Sequence, residues 1–132
     1  MPQSTLLVVS PYEDDHVFVE KVFRRSGWTV FAAWTCDEAV EAAGRQELTV
    51  VLAERHLGDV CWKAMWEKLT RAEMGHPMLI VMSRHADSRL WGEVLNLGGY
   101  DVLAKPLDEE ELEQVVSGAQ RRWQARLATP VR

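Results

Sequence analysis

The sequence has only two cysteines, in no pattern that would bind a metal or form a disulfide framework. Cys36 and Cys61 are the only cysteines among 132 residues, and they form no CxxC pair. Small secreted domains that depend on disulfides carry more cysteines at closer spacing. We therefore expect two free thiols in a protein of a reducing compartment.

Long apolar runs are also missing. No stretch approaches the roughly 20 apolar residues that span a bilayer, and the N-terminus lacks the basic-then-apolar pattern of a signal peptide. Hydrophobic residues nevertheless make up 47% of the chain, which is enough for a packed core. These features predict a globular cytoplasmic domain that does not bind membranes.

The chain has fewer basic residues than acidic residues. The chain has 15 lysines and arginines against 20 aspartates and glutamates, which gives a formal net charge of −5. Surfaces that bind nucleic acids need a basic patch that engages phosphate groups. We therefore expect no nucleic-acid binding by this domain.

Sequence patterns of common enzymes and cofactor sites are absent as well. The first apolar run leads into VVSPYEDD rather than a glycine-rich loop, which disfavours a nucleotide or flavin site. No Ser-His-Asp or Cys-His arrangement is present, so we expect no enzymatic activity. The histidines have no metal-ligand spacing, and we expect no metal and a surface position for all four: His16, His56, His76 and His85.

Five short apolar runs are the main feature that the sequence does contain. They occupy residues 5–10, 28–33, 48–53, 78–82 and 100–104, and an amphipathic helical pattern follows each of them. Strands that alternate with helices predict a single parallel sheet covered on both faces. We predict an α/β fold of the flavodoxin-like, doubly wound type, with five strands in the order 2-1-3-4-5 and five helices.

The chain is expected to form one domain over residues 1–127, followed by a flexible tail at 128–132. In the last helix, apolar residues keep a near-heptad spacing that ends at Leu127. Two interpretations stay open for this extension: a helical linker to an output domain, or a frayed helix end.

The third apolar run is followed directly by a charged residue, Glu54. In an open α/β sheet, functional groups gather beyond the carboxyl ends of the strands. Ser83 follows the fourth run, and Lys105-Pro106 follows the fifth. We expect Glu54, Ser83 and Lys105 to lie at the same end of the sheet.

These residues, together with Gly98 after the fourth helix and Gly27-Trp28 before the second strand, resemble the receiver domain of bacterial two-component response regulators. The resemblance places Glu54 at the position of the phosphate-accepting aspartate. It implies that Ser83 and Lys105 occupy the positions that contact the phosphoryl group, and that the Lys105-Pro106 peptide bond is cis.

The chain departs from that family at the residues that carry its chemistry. The positions of the acidic pair that holds Mg²⁺ are Ser10 and Pro11, the acceptor is Glu54 instead of aspartate, and the aromatic switch position is Val102. Magnesium usually needs protein carboxylates, and an attacking oxygen tolerates little displacement. We therefore predict a degenerate receiver without Mg²⁺ or any other cofactor.

The preferred hypothesis is a signalling domain that works by binding a protein, either a histidine kinase or an output domain. Lys105 and Glu54 are expected to form an ion pair without metal, which either holds the domain in one signalling state or only satisfies charges at a vestigial site. One alternative is phosphorylation at Glu54 or a nearby acid. Another is a flavodoxin-like domain that binds a small molecule.

The resemblance also implies a surface for partners. Trp91 lies on the fourth helix, beside the surface of the fourth helix, fifth strand and fifth helix that receivers use for dimerisation and output. We expect Trp91 either to contact a partner there, with a homodimer as one form, or to be partly buried.

Overall fold

The computed structural model describes residues 4–58, 60–72 and 76–128. Five strands form one sheet: β1 (Ser4–Val9), β2 (Trp28–Ala33), β3 (Val50–Glu54), β6 (Met78–Ser83) and β7 (Asp101–Ala104). Two shorter strands form a separate hairpin: β4 (His56–Leu57) and β5 (Val60–Cys61). The helices are α1 (Glu13–Phe23), α2 (Cys36–Arg45), α3 (Trp62–Ala72), α4 (Ser88–Asn96) and α5 (Glu109–Ala128).

The sheet is parallel throughout, with the strand order β2-β1-β3-β6-β7. Counted along the five strands of this sheet alone, that order is 2-1-3-4-5. The predicted flavodoxin-like, doubly wound fold with five helices is therefore confirmed.

Alternating residues of the central strands divide the core into two layers. Leu6 and Val8 of β1 pack with α1 and α5, whereas Leu7 and Val9 pack with α2, α3 and α4. This division follows from the two-residue period of a strand, whose successive side chains point to opposite faces. Burial on both faces explains why the central strands are continuous apolar runs.

Side-chain caps fix the starts of α2 and α5. The Glu38 N–H donates to Thr35 Oγ1 at 3.1 Å, and Glu38 Oε1 accepts from the Trp34 N–H at 2.9 Å. Asp108 Oδ2 accepts from the Glu111 N–H at 2.9 Å at the start of α5. These contacts satisfy backbone N–H groups that the first turn of a helix leaves without a partner within the helix.

Three features differ from the expectations or extend them. His16 is buried, with 8% exposure, rather than on the surface, because its ring lies against Trp34 beside the sheet. The β4–β5 hairpin was not expected, since strands of two residues leave no periodic pattern. Of the predicted tail, Ala128 is the last residue of α5, and 129–132 lie outside the described residues.

None of the helices, within the part of the chain that the structure describes, is long and apolar enough to cross a bilayer.

Candidate functional site

The carboxyl ends of the parallel strands bring the predicted site residues to one edge of the sheet. Glu54 is the last residue of β3, and Ser83 is the last residue of β6. Ser10 directly follows β1, and Lys105 directly follows β7. Glu54 and Ser83 are buried there, with exposures of 4% and 3%.

Lys105 binds two carboxylates at once. Its Nζ lies 2.7 Å from Asp15 Oδ2 and 3.0 Å from Glu54 Oε1. The side chains of all three residues are at most 9% exposed. We call Asp15, Glu54 and Lys105 the carboxylate–lysine triad.

Asp15 is the member of the triad that sequence reasoning missed. The run Glu13-Asp14-Asp15 suits the first turn of a helix, where acids complement the helix dipole, so the sequence favours a surface position for Asp15. Yet Asp15 precedes Val19 by four residues and therefore lies on the buried face of α1. This four-residue spacing is the sequence feature that could have identified Asp15 as a buried residue.

Ser10 holds Asp15 in place. The Ser10 hydroxyl donates to Asp15 Oδ2 at 2.6 Å and accepts from the Tyr12 N–H at 3.0 Å. Ser10 occupies a position at which the family pattern has an acidic residue. It therefore orients Asp15, an acidic residue that comes from α1 instead. Pro11 lies in the short connection between β1 and α1, half-buried.

Both oxygens of Glu54 are engaged. Oε1 accepts from Lys105, and Oε2 accepts from the backbone N–H of His56 at 2.6 Å. The β4–β5 hairpin, which begins at His56, supplies that donor. The carboxylate is therefore fixed from two sides, by a lysine and by the backbone.

The triad contains one more carboxylate than ammonium group. Removing charges from water is costly, and only close pairing with hydrogen bonds repays that cost. Ser10 and the His56 N–H supply such hydrogen bonds, while the Tyr12 ring lies with its centroid 4.9 Å from Lys105 Nζ. A cation–π contact at this distance stabilises the ammonium further.

Ser83 faces a small cavity in front of Glu54. Its hydroxyl oxygen accepts from the His85 N–H at 3.0 Å. The cavity has a volume of about 190 Å³ and is lined by Tyr12, Glu54, His56, Ser83, Arg84 and His85. The structure thus brings His56 and His85, both exposed, to the Glu54 end of the sheet.

The remaining predicted positions lie on or near β7. The Lys105-Pro106 peptide bond is cis. Val102 is half-buried against the core layer of α2, α3 and α4. Trp91 of α4 is 48% exposed, and its indole N–H lies 3.3 Å from Asp101 Oδ1 of β7.

The residues present do not form a good magnesium site. Mg²⁺ requires near-octahedral oxygen coordination, usually from one or two carboxylates that can turn towards it. Here the two carboxylates share one ammonium, and Ser10 and Pro11 supply no further acid. Among the described residues, no group of three or more His, Cys, Asp and Glu could hold a metal ion.

Comparisons with known proteins agree with this architecture. The model of the response regulator receiver domain family matches residues 11–117. The probable transcriptional regulatory protein TcrX of Mycobacterium tuberculosis is 33% identical over 112 residues, which cover 82% of this chain and 46% of that protein. The chain thus spans about half the length of this curated relative.

Two solved structures illustrate the shared fold. The receiver domain of a putative Luxo repressor protein from Vibrio parahaemolyticus has a TM-score of 0.86 and 16% identity, with 98% of this chain and 100% of that chain covered. A response regulator from Burkholderia pseudomallei, with a phosphorylated aspartic acid, a calcium ion and citrate, has a TM-score of 0.77 and 22% identity, with 97% and 76% covered.

The family model covers most of the chain, and the sheet order and the solved structures agree with it. This protein belongs to the family of response regulator receiver domains of two-component systems.

Proposed function

We propose that this receiver domain regulates a protein partner through the carboxylate–lysine triad, without Mg²⁺ and without covalent phosphate. The observation that carries the proposal is that Lys105 Nζ binds Asp15 and Glu54 together in a buried site. The domain is then regulatory rather than catalytic, and its free cysteines fit a cytoplasmic setting.

The contacts of Glu54 argue against its role as a phosphate acceptor. Phosphoryl transfer depends on an in-line nucleophile and on cations that neutralise the transferring group. Both Glu54 oxygens already accept hydrogen bonds, and glutamate is one methylene longer than the aspartate of the family pattern. The Burkholderia protein contains a phosphorylated aspartic acid and a calcium ion, whereas the residue at the acceptor position here is a glutamate, and no group of three or more His, Cys, Asp and Glu among the described residues could hold a metal ion.

The triad gives a physical reason for one persistent signalling state. Lys105 ties the end of β7 to the end of β3 and to the first turn of α1. Breaking one partner of such a buried pair leaves an uncompensated charge, which is strongly unfavourable. The connection after β7 is therefore held in one position, and the surface beside it keeps one shape.

Exposed apolar residues on α4 and at Leu97, which directly follows it, support a partner surface next to β7. Trp91, Leu95 and Leu97 are 48%, 41% and 49% exposed. Interface hot spots are enriched in tryptophan, and exposed apolar clusters mark interaction sites. We propose that this α4 surface binds a histidine kinase or an output domain, with a homodimer through α4, β7 and α5 as the alternative occupant.

Incubation with acetyl phosphate and Mg²⁺, followed by intact-mass measurement, tests the absence of phosphorylation. We expect no phosphoryl adduct on the natural chain. The variant Ser10→Asp/Pro11→Asp/Glu54→Asp restores the family's acids and serves as the positive control, in which we expect an adduct. A stoichiometric adduct on the natural chain would overturn the proposal in favour of phosphorylation at Glu54 or Asp15.

The role of the triad in partner binding is tested with Glu54→Gln. This variant keeps the shape of the side chain but removes its charge, so we expect weaker binding to the kinase or output domain by about tenfold. Calorimetry with purified partner measures the effect. Unchanged affinity would show that the triad only satisfies charges at a vestigial site.

The third hypothesis, a small-molecule-binding domain, gains little support from the cavity at Glu54. Ligand pockets usually have volumes of about 300–1,000 Å³. The cavity in front of Glu54 measures about 190 Å³. We therefore favour protein binding over small-molecule binding in front of Glu54. A neighbouring open cavity of about 530 Å³, lined by Asp15, Lys105 and Pro106 among others, has a volume within that range and is the place at this end of the sheet where a small molecule would fit.

A further inference from the structure

The edge strand β2 lacks the usual protection of a sheet edge. Within the described ranges, β2 pairs with β1 on one side and with no strand on the other. Residues 26–36, SGWTVFAAWTC, contain no charged side chain and no proline. Natural edge strands are commonly short, charged or interrupted by proline, because an unprotected edge pairs with other chains.

The opposite edge strand is built differently. β7 has four residues, begins with Asp101 and is followed directly by Lys105 and Pro106. β2 has six residues, all uncharged. One edge of this sheet is therefore protected by charge and shortness, and the other is not.

Hydrogen bonds identify the backbone groups that point outward from β2. Ala33 O accepts from the Ser10 N–H at 3.0 Å, so the backbone groups of Ala33 face β1. Because these groups alternate along a strand, those of Val30 and Ala32 face away from the sheet.

Side chains cover the two ends of this outward row. The Trp28 N–H donates to Ser26 Oγ at 3.1 Å, and the Trp34 N–H donates to Glu38 Oε1 at 2.9 Å. The outward N–H and C=O groups of Val30 and Ala32 lie between these two covered ends. They form a short row of donors and acceptors for a further strand.

We propose that β2 is a self-association edge, at which a second copy of this chain pairs its own β2 in antiparallel direction. A two-fold axis at Phe31 places Val30 opposite Ala32 of the second copy, and Ala32 opposite Val30. Each of these pairs then exchanges both backbone hydrogen bonds. The outward row is thus complementary to itself, and the absence of charge means that the two identical strands do not repel each other.

Apolar side chains would be covered by the same contact. In this register, Phe31 meets Phe31 of the second copy, and Trp28 lies beside the second copy's Trp34. Trp34 is 39% exposed, and Ala32 is exposed. Cross-strand aromatic pairs stabilise antiparallel strands, so the dimer has a source of stability besides its hydrogen bonds.

An open cavity beside β2 leaves room for the side chains on the α1 side of the sheet, where Trp28 lies, whereas Phe31 lies on the opposite face. The cavity has a volume of about 330 Å³ on the α1 side of the sheet, and Trp28, Val30, Ala32 and His16 are among its lining residues. This edge lies across the sheet from β7, so the proposed dimer leaves the α4 surface accessible. The inference is therefore independent of the proposed function.

Sedimentation equilibrium of the whole chain tests the proposal. We expect a concentration-dependent dimer, and Ala32→Lys should raise its dissociation constant at least about tenfold by placing a charge on the pairing edge. Ala104→Lys, an exposed alanine on β7, is the matched control and should leave the dimer unchanged. Ala32→Glu repeats the test with the opposite charge, and circular dichroism verifies that each variant is folded.

Amide hydrogen exchange tests the register. The Val30 and Ala32 amides should exchange more slowly as protein concentration rises, whereas the Trp28 and Trp34 amides should not respond. A chain that stays monomeric up to millimolar concentration would overturn the proposal. So would a dimer that persists in folded Ala32→Lys, or one lost on Trp91→Ala, which would place the contact on α4.

Discussion

Strand β3 passes through two different environments within five residues. From Val50 to Ala53 it is buried among apolar side chains, and at Glu54 it is equally buried but charged. The apolar part is stabilised by non-directional burial, which tolerates substitutions that preserve volume. The charged end depends on a lysine, an aspartate and a backbone N–H at defined positions. Two parts of one strand that are equally buried therefore differ in the substitutions that they tolerate.

Removal of the Lys105 ammonium group should have the largest effect on stability. Lys105→Met leaves Asp15 and Glu54 buried without their cation, and loss of one partner from a buried ion pair costs about 3–5 kcal/mol. We expect urea denaturation to show a decrease of this size in the free energy of unfolding.

A triple variant separates charge from packing at the same site. In Asp15→Leu/Glu54→Leu/Lys105→Met, all three charges are replaced by apolar groups, which is often neutral for stability. We expect most of the lost stability to return. A triple variant as unstable as Lys105→Met would mean that unpaired charge is not the cause of the loss.

The apolar part of β3 should respond to volume alone. Leu52 is fully buried, and Leu52→Ala is expected to cost about 2–5 kcal/mol because it leaves a cavity. Leu52→Met preserves most of the volume and should cost less than about 1.5 kcal/mol. Equal losses for the two variants, measured by thermal or urea unfolding, would contradict this interpretation.

A smaller effect is expected at the start of α2, where one hydrogen bond lies at the surface. Thr35→Ala removes the oxygen that caps the Glu38 N–H and should cost about 1 kcal/mol. Thr35→Ser keeps that oxygen and should retain most of the stability. If the serine variant is as unstable as the alanine variant, the cap is not the origin of the loss.

On the α4 surface, a substitution should affect binding more than stability. Trp91 is 48% exposed and its indole N–H donates to Asp101 Oδ1, so Trp91→Ala should lower the free energy of unfolding by about 1 kcal/mol, the net value of one hydrogen bond. If Trp91 is an interface hot spot, the affinity of the Trp91→Ala variant for the kinase or output domain should fall at least about tenfold. A large loss of stability with unchanged binding would assign Trp91 to packing instead.

The two cysteines extend the comparison to reactivity. Burial raises the pKa of the Cys36 thiol above its usual 9.0, with Asp37 adding to the increase and Lys68 opposing it. Because the thiolate is the reactive form, Cys36 should react slowly with iodoacetamide at neutral pH, whereas the exposed Cys61 should react readily. Peptide mapping after brief alkylation measures both rates, and faster labelling at Cys36 would contradict the expectation.

The positions of the strand ends in the sequence were enough to predict which residues form part of the site. Because the carboxyl ends of parallel strands share one edge, the positions of Glu54, Ser83 and Lys105 in the chain were enough to place them together. Asp15 was missed because a residue in the first turn of a helix serves equally well as a surface acid. The β4–β5 hairpin and its hydrogen bond to Glu54 left no periodic pattern to find.

The amino-acid sequence by itself determined the parallel sheet, because strands buried on both faces leave short continuous apolar runs and the helices between them leave amphipathic patterns. Short right-handed connections between the strands then favour the observed order. Tertiary structure alone decided that Lys105 binds two carboxylates and that Ser10 orients one of them. It also decided which backbone groups of β2 face outward. Periodicity reports which face a residue occupies, whereas an ion pair or a free edge depends on residues distant in the chain that meet only after folding.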